Sequence, residues 1–239
     1  MSKTELLIPR QKSVIVAADV QAEKFSELVK ATCLVEGIGG YKVGFELGLE
    51  MGLPKTVDIV RKHTNLPIIY DHQKAGNDIP GTGLNFARVC KKSGIDAIIL
   101  FPFSSPITEE AWIKESQNAG LTVLVGGHMT HEKFLHSEGG FIADDAPKRI
   151  YTIGAQNGVK DFVVPGNKVE YVAHYKELLD GILGLNNFTL YAPGFITQKG
   201  EISEFAQVAG NRWHAIVGSA IYKAVDLTAA AEQMTNQVR

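Results

Sequence analysis

The chain has 239 residues, of which 45% are hydrophobic and 21% charged, so it is long enough to bury a full hydrophobic core. Its formal net charge is −2 and it has no run of five basic residues, which gives no indication of nucleic acid or an anionic membrane as a partner. It shows no apolar run of membrane-spanning length, no signal-peptide core and no disulfide or metal motif around its two cysteines, Cys33 and Cys90. We therefore expect a cytoplasmic protein.

Short apolar runs rich in β-branched residues alternate with longer amphipathic segments from one end of the chain to the other. These runs predict eight buried strands, at 13–18, 40–44, 67–70, 97–101, 122–126, 161–164, 188–192 and 215–218. The segments between them have helical apolar spacing, as in Phe25, Leu28, Val29 and Thr32. Eight βα units in about 240 residues predict an α/β fold, the (β/α)8 TIM barrel.

An open doubly wound sheet has the same alternation of strands and helices, but the first βα turn lacks the Gly-x-Gly-x-x-Gly sequence of its phosphate loop. The barrel is therefore favoured. No composition shift, low-complexity tract or linker divides the chain, so we expect residues 1–239 to form a single domain.

The longest irregular region, 126–143, is expected to be a mobile loop over a site. It contains His128, His131 and His136, which are one candidate for a transition-metal site. No cysteine or carboxylate completes an evident ligand set, so we expect solvated histidines and no metal.

Charged residues stand at the carboxyl ends of the first three strands, where barrel enzymes carry their reactive groups. Asp19 follows strand 1, Lys42 lies near the end of strand 2, and Asp71 ends strand 3 shortly before Lys74 and Asp78. A lysine between carboxylates stays protonated while the carboxylates stay charged. Such a cluster can repel a substrate anion and deliver a proton, so it predicts a catalytic site.

Each of these residues also has a simpler structural explanation. Lys42 would be a snorkelling side chain at the barrel rim, Asp19 the N-cap of the helix that follows, and 71–80 a solvated charged loop. Their joint position at neighbouring strand ends favours the catalytic interpretation.

The loops after strands 7 and 8, at 192–200 and 217–222, are glycine-containing loops at the place where barrels commonly bind phosphate. A phosphorylated small molecule is therefore the expected class of substrate.

Several motifs occur in a characteristic order at these strand ends: 16–19, 41–47, 71–82, 128–131, 163–165, 192–194 with Gln198, and 217–218 with 221–222. In this order the chain resembles the orotidine 5'-monophosphate (OMP) decarboxylase family over essentially its whole length. The resemblance implies a homodimeric barrel without metal or cofactor that converts OMP, a nucleotide monophosphate, to UMP in pyrimidine biosynthesis.

The resemblance also implies residue roles. Lys42, Asp71 and Lys74 would form the charged catalytic array, completed by Asp78 of the partner subunit. Asp71 would crowd the departing carboxylate, and Lys74 would stabilise and protonate the carbanion at C6. Asp19, Asp78 and Thr82 would bind the ribose, Thr130 the pyrimidine, and Gln198 the phosphate. The full set of implied substrate-binding residues is Asp19, Ile79, Thr82, Met129, Thr130, Pro165, Gln198, Gly218 and Ser219.

The chain departs from the family pattern in two places. The family pattern is Asp-x-Lys-x-x-Asp, whereas Asp71, Lys74 and Asp78 are separated by one additional residue in each interval. After the strand 8 glycine the family places a phosphate-binding arginine, and this chain has Ser219. Candidate replacements for that arginine are Arg212, Lys199 and Lys223.

Two alternative functions remain open on the sequence. One is a metal-dependent sister enzyme, a hexulose-phosphate synthase or a keto-gulonate-phosphate decarboxylase, which would carry an acidic residue where this chain has Lys42. The other is a catalytically silent barrel that binds a phosphate ligand, which Ser219 and the longer loop would fit.

Overall fold

A computed structural model describes residues 6–73, 75–195 and 201–238. Eight parallel strands pair in chain order, and the first pairs with the last to close a barrel. The predicted (β/α)8 barrel is confirmed, and every predicted strand lies within two residues of an observed one. The strands are β1 Lys12–Ala18, β2 Ile38–Gly44, β3 Ile68–Asp71, β4 Ala97–Leu100, β5 Thr122–Gly126, β6 Asp161–Val163, β7 Thr189–Ala192 and β8 Trp213–Val217.

Helices connect successive strands and cover the outside of the barrel. Within the described ranges they are α1 Ala22–Thr32, α2 Phe45–Glu50, α3 Leu53–Arg61, α4 Gly83–Lys92, α5 Pro106–Asn118, α6 Ala146–Gln156, α7 Val169–Leu183, α8 Ile202–Val208, α9 Ser219–Tyr222 and α10 Leu227–Asn236. Helix α1 buries Phe25, Leu28, Val29 and Thr32, the four residues whose spacing predicted it. None of the helices in the described ranges has both the length and the apolar character needed to span a bilayer.

Alternation along the strands divides the core into two layers. In β1, the side chains of Val14 and Val16 pack outward with the helices, while Ile15 and Ala17 belong to a smaller cluster inside the barrel. Above these packed side chains, at the carboxyl ends of the strands, there is room for a cluster of polar groups.

The register of β2 and β3 determines which polar residues meet above that interior. Lys42 pairs with Ile69, and Gly44 pairs with Asp71. Because residues two apart share a face, Asp71 lies on the same face as Ile69, which is buried inside the barrel. Lys42 and Asp71 therefore both face the barrel interior, with Asp71 nearer to the carboxyl end.

The region 126–143 is irregular, as predicted, but it is more ordered than a mobile loop is expected to be. It contains the 3-10 turn His136–Glu138 and a bridge between Leu135 and Ile142. Phe134 and Leu135 are buried. These contacts fold the segment against the barrel.

Candidate active site

A cavity of about 240 Å³ opens at the carboxyl ends of the strands. Each of the eight strands, or the loop directly after it, contributes to the wall. The wall residues are Ala17, Asp19, Lys42, Asp71, Gln73, Ile99, Phe101, His128, Met129, Thr130, Val163, Pro193, Gly194, Phe195, Ile216, Val217, Gly218, Ser219, Ala220 and Tyr222. Of the predicted site residues, the structure brings together Asp19, Lys42, Asp71, Met129, Thr130, Gly218 and Ser219.

Lys42 forms the centre of the charged cluster. Its Nζ atom lies 3.2 Å from Oδ1 of Asp19 and 3.2 Å from Oδ2 of Asp71. The side chains of Lys42 and Asp71 are only 11% and 5% exposed, whereas that of Asp19 is 50% exposed. Burial opposes the charged form of Lys42, but the two carboxylates outweigh burial and raise the pKa of Lys42 above its ordinary value. The lysine is therefore a fixed cation within the wall.

The two simpler explanations for these residues do not hold. Lys42 is buried between carboxylates and does not extend along the rim. The N-cap of α1 is Gln21, and Asp19 instead accepts a hydrogen bond from Lys42. Gly44 leaves room for this contact, since a Cβ atom there would lie 3.2 Å from Oδ1 of Asp19.

Gln73 joins the cluster, although it was not among the residues predicted for the site. Its side-chain amide donates to Oδ2 of Asp71 at 2.5 Å, and its backbone N–H donates to Oδ1 at 3.2 Å. Its φ angle is +63°, a left-handed conformation that is uncommon for a residue with a Cβ atom. The longer loop after Asp71 thus begins with a sharp turn that both oxygens of Asp71 stabilise.

The wall also contains a group that was expected to be exposed. His128 is only 1% exposed, and both of its ring nitrogens have partners, Tyr175 and Lys168. The expectation of a solvated histidine was wrong for this residue, because its partners lie on a distant segment. Among the described residues, no cluster of three or more histidine, cysteine or carboxylate side chains is arranged to hold a metal ion.

Four predicted site residues do not reach the wall in this chain. Asp78 and Ile79 are exposed, and Thr82 donates its hydroxyl to the carbonyl of Ile79. Pro165 is buried but is not part of the wall. Two further predicted residues, Lys74 and Gln198, lie outside the described residues.

Arg212 cannot replace the phosphate-binding arginine, because it lies at the opposite end of the barrel. It precedes β8 and its Nη1 atom donates to the carbonyls of Ile8, Pro9 and Arg10. Lys223 is exposed and outside the wall, and Lys199 lies outside the described residues. Among the described wall residues Lys42 is the only lysine or arginine.

Tyr222, like Gln73, lines the cavity without having been predicted as a site residue. Its segment, 221–222, is one of the motifs on which the resemblance to the OMP decarboxylase family rests. Burial, followed by the nearby carboxylates of Asp19 and Glu46, raises the pKa of the Tyr222 hydroxyl above the ordinary value. Tyr222 is therefore a neutral hydrogen-bonding group beside Gly218, whose missing side chain leaves space for the tyrosine ring.

A closed barrel with a buried lysine–carboxylate cluster at its carboxyl-terminal face defines a (β/α)8-barrel enzyme. Residues 12–234 match the model of the orotidine 5'-phosphate decarboxylase / HUMPS family. The chain belongs to this family, which confirms the resemblance found in the sequence.

Curated relatives agree with this assignment over nearly the whole chain. The orotidine 5'-phosphate decarboxylase of Methanosarcina mazei is 29% identical over 234 residues, which cover 96% of each protein. That of Pyrococcus abyssi is 28% identical over 232 residues, which cover 95% of this chain and 99% of the relative.

Solved structures show the same fold. A crystal structure of orotidine 5'-monophosphate decarboxylase from Methanocaldococcus jannaschii, in complex with the inhibitor BMP, superposes with a TM-score of 0.82 at 21% identity and covers 96% of this chain and 100% of its own. The orotidine 5'-phosphate decarboxylase of Pyrococcus horikoshii gives a TM-score of 0.77 at 22% identity, covering 95% and 99%.

Proposed function

We propose that this protein decarboxylates orotidine 5'-monophosphate to uridine 5'-monophosphate. The observation that carries the proposal is Lys42, which is buried 3.2 Å from each of two carboxylates at the carboxyl end of the barrel. Family membership and relatives named as orotidine 5'-phosphate decarboxylases support the same reaction.

The chemistry requires stabilisation of a carbanion without an electron sink in the ring. The bond from C6 to the carboxylate breaks, carbon dioxide leaves, and the electron pair stays on C6. The ammonium of Lys74 then delivers a proton to C6 and is reprotonated by solvent. A preorganised array of charges is the means by which an enzyme lowers the energy of such a carbanion.

Asp71 acts on the ground state in this proposal. Its side chain is 5% exposed and Lys42 holds its Oδ2 atom, so the carboxylate cannot turn away from a bound anion. A substrate carboxylate placed beside Asp71 is repelled, and the repulsion ends when carbon dioxide leaves. Binding energy from the remote phosphate would hold the substrate there.

The other wall residues would bind different parts of the substrate, depending on the strand that each one follows. Asp19 would bind ribose hydroxyls, and Met129 and Thr130 the pyrimidine. Gly218 is the N-cap and Ser219 the first residue of α9, and their backbone N–H groups would contact the phosphate. Because Ser219 carries no charge, Gln198 and the loop around it would supply the further phosphate contacts.

The proposal includes a homodimer in which Asp78 reaches the cavity of the partner subunit, with Ile79 and Thr82 beside it. Asp78 lies outside its own cavity wall, and two large apolar side chains near it in the sequence or on α5 are exposed, Ile79 at 66% and Ile107 at 69%. The hydroxyl of Thr108 and the indole of Trp112 hold the carbonyls of Asp78 and Ile79 against α5. Exposed apolar side chains beside Asp78 are what a partner subunit would cover in this proposal.

A cytoplasmic location belongs to the same proposal. Cys33 and Cys90 are free thiols, as is typical of proteins in a reducing compartment.

The metal-dependent sister reactions are disfavoured by Lys42. A divalent cation between Asp19 and Asp71 would have to occupy the position of an ammonium that both carboxylates already bind.

The test is ultraviolet-monitored turnover of OMP with and without EDTA. We expect equal loss of the orotate chromophore in both conditions. A protein that is inert, yet has its melting temperature raised by the nucleotide, would be the phosphate-binding barrel. If neither effect occurs, the proposed substrate is wrong, and sugar phosphates with a divalent metal become the next substrates to assay.

A further inference from the structure

The loop that follows β6 contacts the wall segment 128–130 on the side away from the cavity. Asn167 donates its side-chain amide to the carbonyl of Thr130 at 3.0 Å. Its neighbour Lys168 places Nζ 3.0 Å from Nε2 of His128. Two consecutive residues of one loop therefore bind both ends of the segment that carries Met129 and Thr130.

Lys168 is itself held by a carboxylate. Its Nζ atom lies 3.2 and 3.3 Å from the two oxygens of Glu138, and its side chain is 14% exposed. Glu138 also accepts the backbone N–H groups of Phe134 and Leu135. These backbone hydrogen bonds and Lys168 outweigh the effect of burial and lower the pKa of Glu138, so the carboxylate stays charged.

The partners of the two ring nitrogens indicate which of them carries the hydrogen in His128. An ammonium has only donors, so Nε2 of His128 must accept a hydrogen bond from Lys168 and carries no hydrogen itself. Nδ1 then carries the hydrogen and donates to the hydroxyl of Tyr175 at 2.8 Å. Phe134 stacks on the imidazole with the ring centroids 5.1 Å apart, and Tyr171 contacts it edge-on at 4.8 Å. The aromatic contacts and the two hydrogen bonds together hold the ring in one orientation.

We propose that Lys168 is a positioning residue for substrate binding: by binding neutral His128 and charged Glu138 together, it holds the pyrimidine-contacting wall of Met129 and Thr130 in place. The inference rests on the proposed function, because the wall is assigned to the pyrimidine there. Lys168 itself lies outside the cavity wall and acts through His128.

The charges around the imidazole support this inference. Burial, followed by the charge of Lys168, lowers the pKa of His128 to about 4. Glu138 acts in the opposite direction and His131 adds to the lowering. Tyr171 and Tyr175 of α7 face the ring, and the hydroxyl of Tyr151 of α6 hydrogen-bonds the carbonyl of Val163. After burial, the charges of Lys168 and Glu138 are thus the next largest influences on the pKa of His128.

The experiment compares Lys168→Met with two controls. Lys168→Arg keeps the charge and the donors, and Lys148→Met removes the same charge from an exposed position on α6. At pH 8 we expect Lys168→Met to raise KM for OMP by about tenfold and to change kcat less than threefold, because binding but not the charged array is altered. We expect Lys168→Arg to restore most of the affinity and Lys148→Met to match the wild type.

The pH profile gives a readout that a purely structural role would not change. In Lys168→Met the pKa of His128 should rise from about 4, although burial still keeps it below its ordinary value, so KM should rise further as the pH is lowered toward 5. The wild type should show no such step above pH 5. Unchanged KM values, or a wild-type profile in the variant, would overturn the proposal.

Nitrogen-15 NMR of the imidazole tests the same inference without substrate, so its result is independent of whether OMP is turned over. The wild type should contain the tautomer with hydrogen on Nδ1 and remain neutral to pH 5. A hydrogen on Nε2 in the wild type would show that Lys168 does not bind the ring. Failure of OMP turnover with the expected tautomer would instead contradict the proposed function alone.

Discussion

Lys42 and Asp71 form an ion pair of 3.2 Å between neighbouring strands, and both side chains are almost fully buried. Breaking a buried pair leaves one charge without compensation, which costs about 3 to 5 kcal/mol. In this site the half-exposed Asp19 shares the same ammonium. The three residues therefore act as one electrostatic unit.

The stability of the protein should depend on that unit. Lys42→Met should lower the free energy of unfolding by about 3 kcal/mol at pH 8, because Asp71 keeps its charge and loses its partner. Urea denaturation measures the change. The double variant Lys42→Met/Asp71→Asn should recover most of the stability but no activity. If the loss of stability in the double variant equals or exceeds the sum of the two single losses, Lys42 and Asp71 do not stabilise each other.

Gln73 is predicted to hold Asp71 in its reactive orientation. Gln73→Leu should lower kcat about tenfold, since a hydrogen bond to a charged group contributes about 1.5 to 3 kcal/mol. Gln73→Gly should also lower kcat about tenfold, because it removes the same amide. It should nevertheless be more stable than Gln73→Leu, because glycine adopts a φ of +63° without strain. Steady-state kinetics and thermal unfolding distinguish the two effects. An unchanged kcat in both variants would exclude a role for the amide.

Glu109 predicts a pH dependence of stability. The side chain is 1% exposed, its Oε1 atom has no hydrogen-bond partner among the described residues, and burial raises its pKa to about 9. Between its unfolded pKa of about 4.5 and its folded pKa of about 9, the folded state keeps a proton that the unfolded state releases. Stability contributed by Glu109 should therefore fall as pH rises, by up to about 1.4 kcal/mol per unit.

Glu109→Gln removes this titration, so its stability should fall less than that of the wild type between pH 6 and 8. Glu27 on α1 is exposed and provides the matched control, Glu27→Gln. Chemical denaturation at several pH values measures the slopes. Parallel curves for wild type and Glu109→Gln would show that Glu109 is ionised in the folded protein.

A shared site predicts complementation between inactive subunits. Mixing Lys74→Ala with Asp78→Ala protomers should give hybrid dimers in which one of two sites is intact. Random exchange should restore about a quarter of wild-type activity. Each variant alone, carried through the same exchange, is the control. No recovery after confirmed exchange would show that Asp78 serves its own subunit.

The strand pattern was readable from the sequence because each strand is a short apolar run with buried neighbours on both sides. The same reasoning located Asp19, Lys42 and Asp71, since the register of parallel strands brings their ends together. The roles of the individual site residues remain predictions.

The parts that the sequence did not reveal depend on long-range or irregular contacts. His128 is buried because Lys168 and Tyr175, 40 and 47 residues away, bind its ring. The left-handed turn at Gln73 has no local sequence signal, because glutamine rarely adopts it. Arg212 was considered for the phosphate site, but it precedes its strand and so lies at the other end of the barrel.

The most direct test of the account follows both products from OMP labelled in its carboxylate. In the presence of a chelator, the wild type should release labelled carbon dioxide and form UMP in equal amounts, and Asp71→Asn should lose most of this activity while still binding UMP. Release that requires added metal, or an Asp71→Asn variant as active as the wild type, would contradict the assignment of this site.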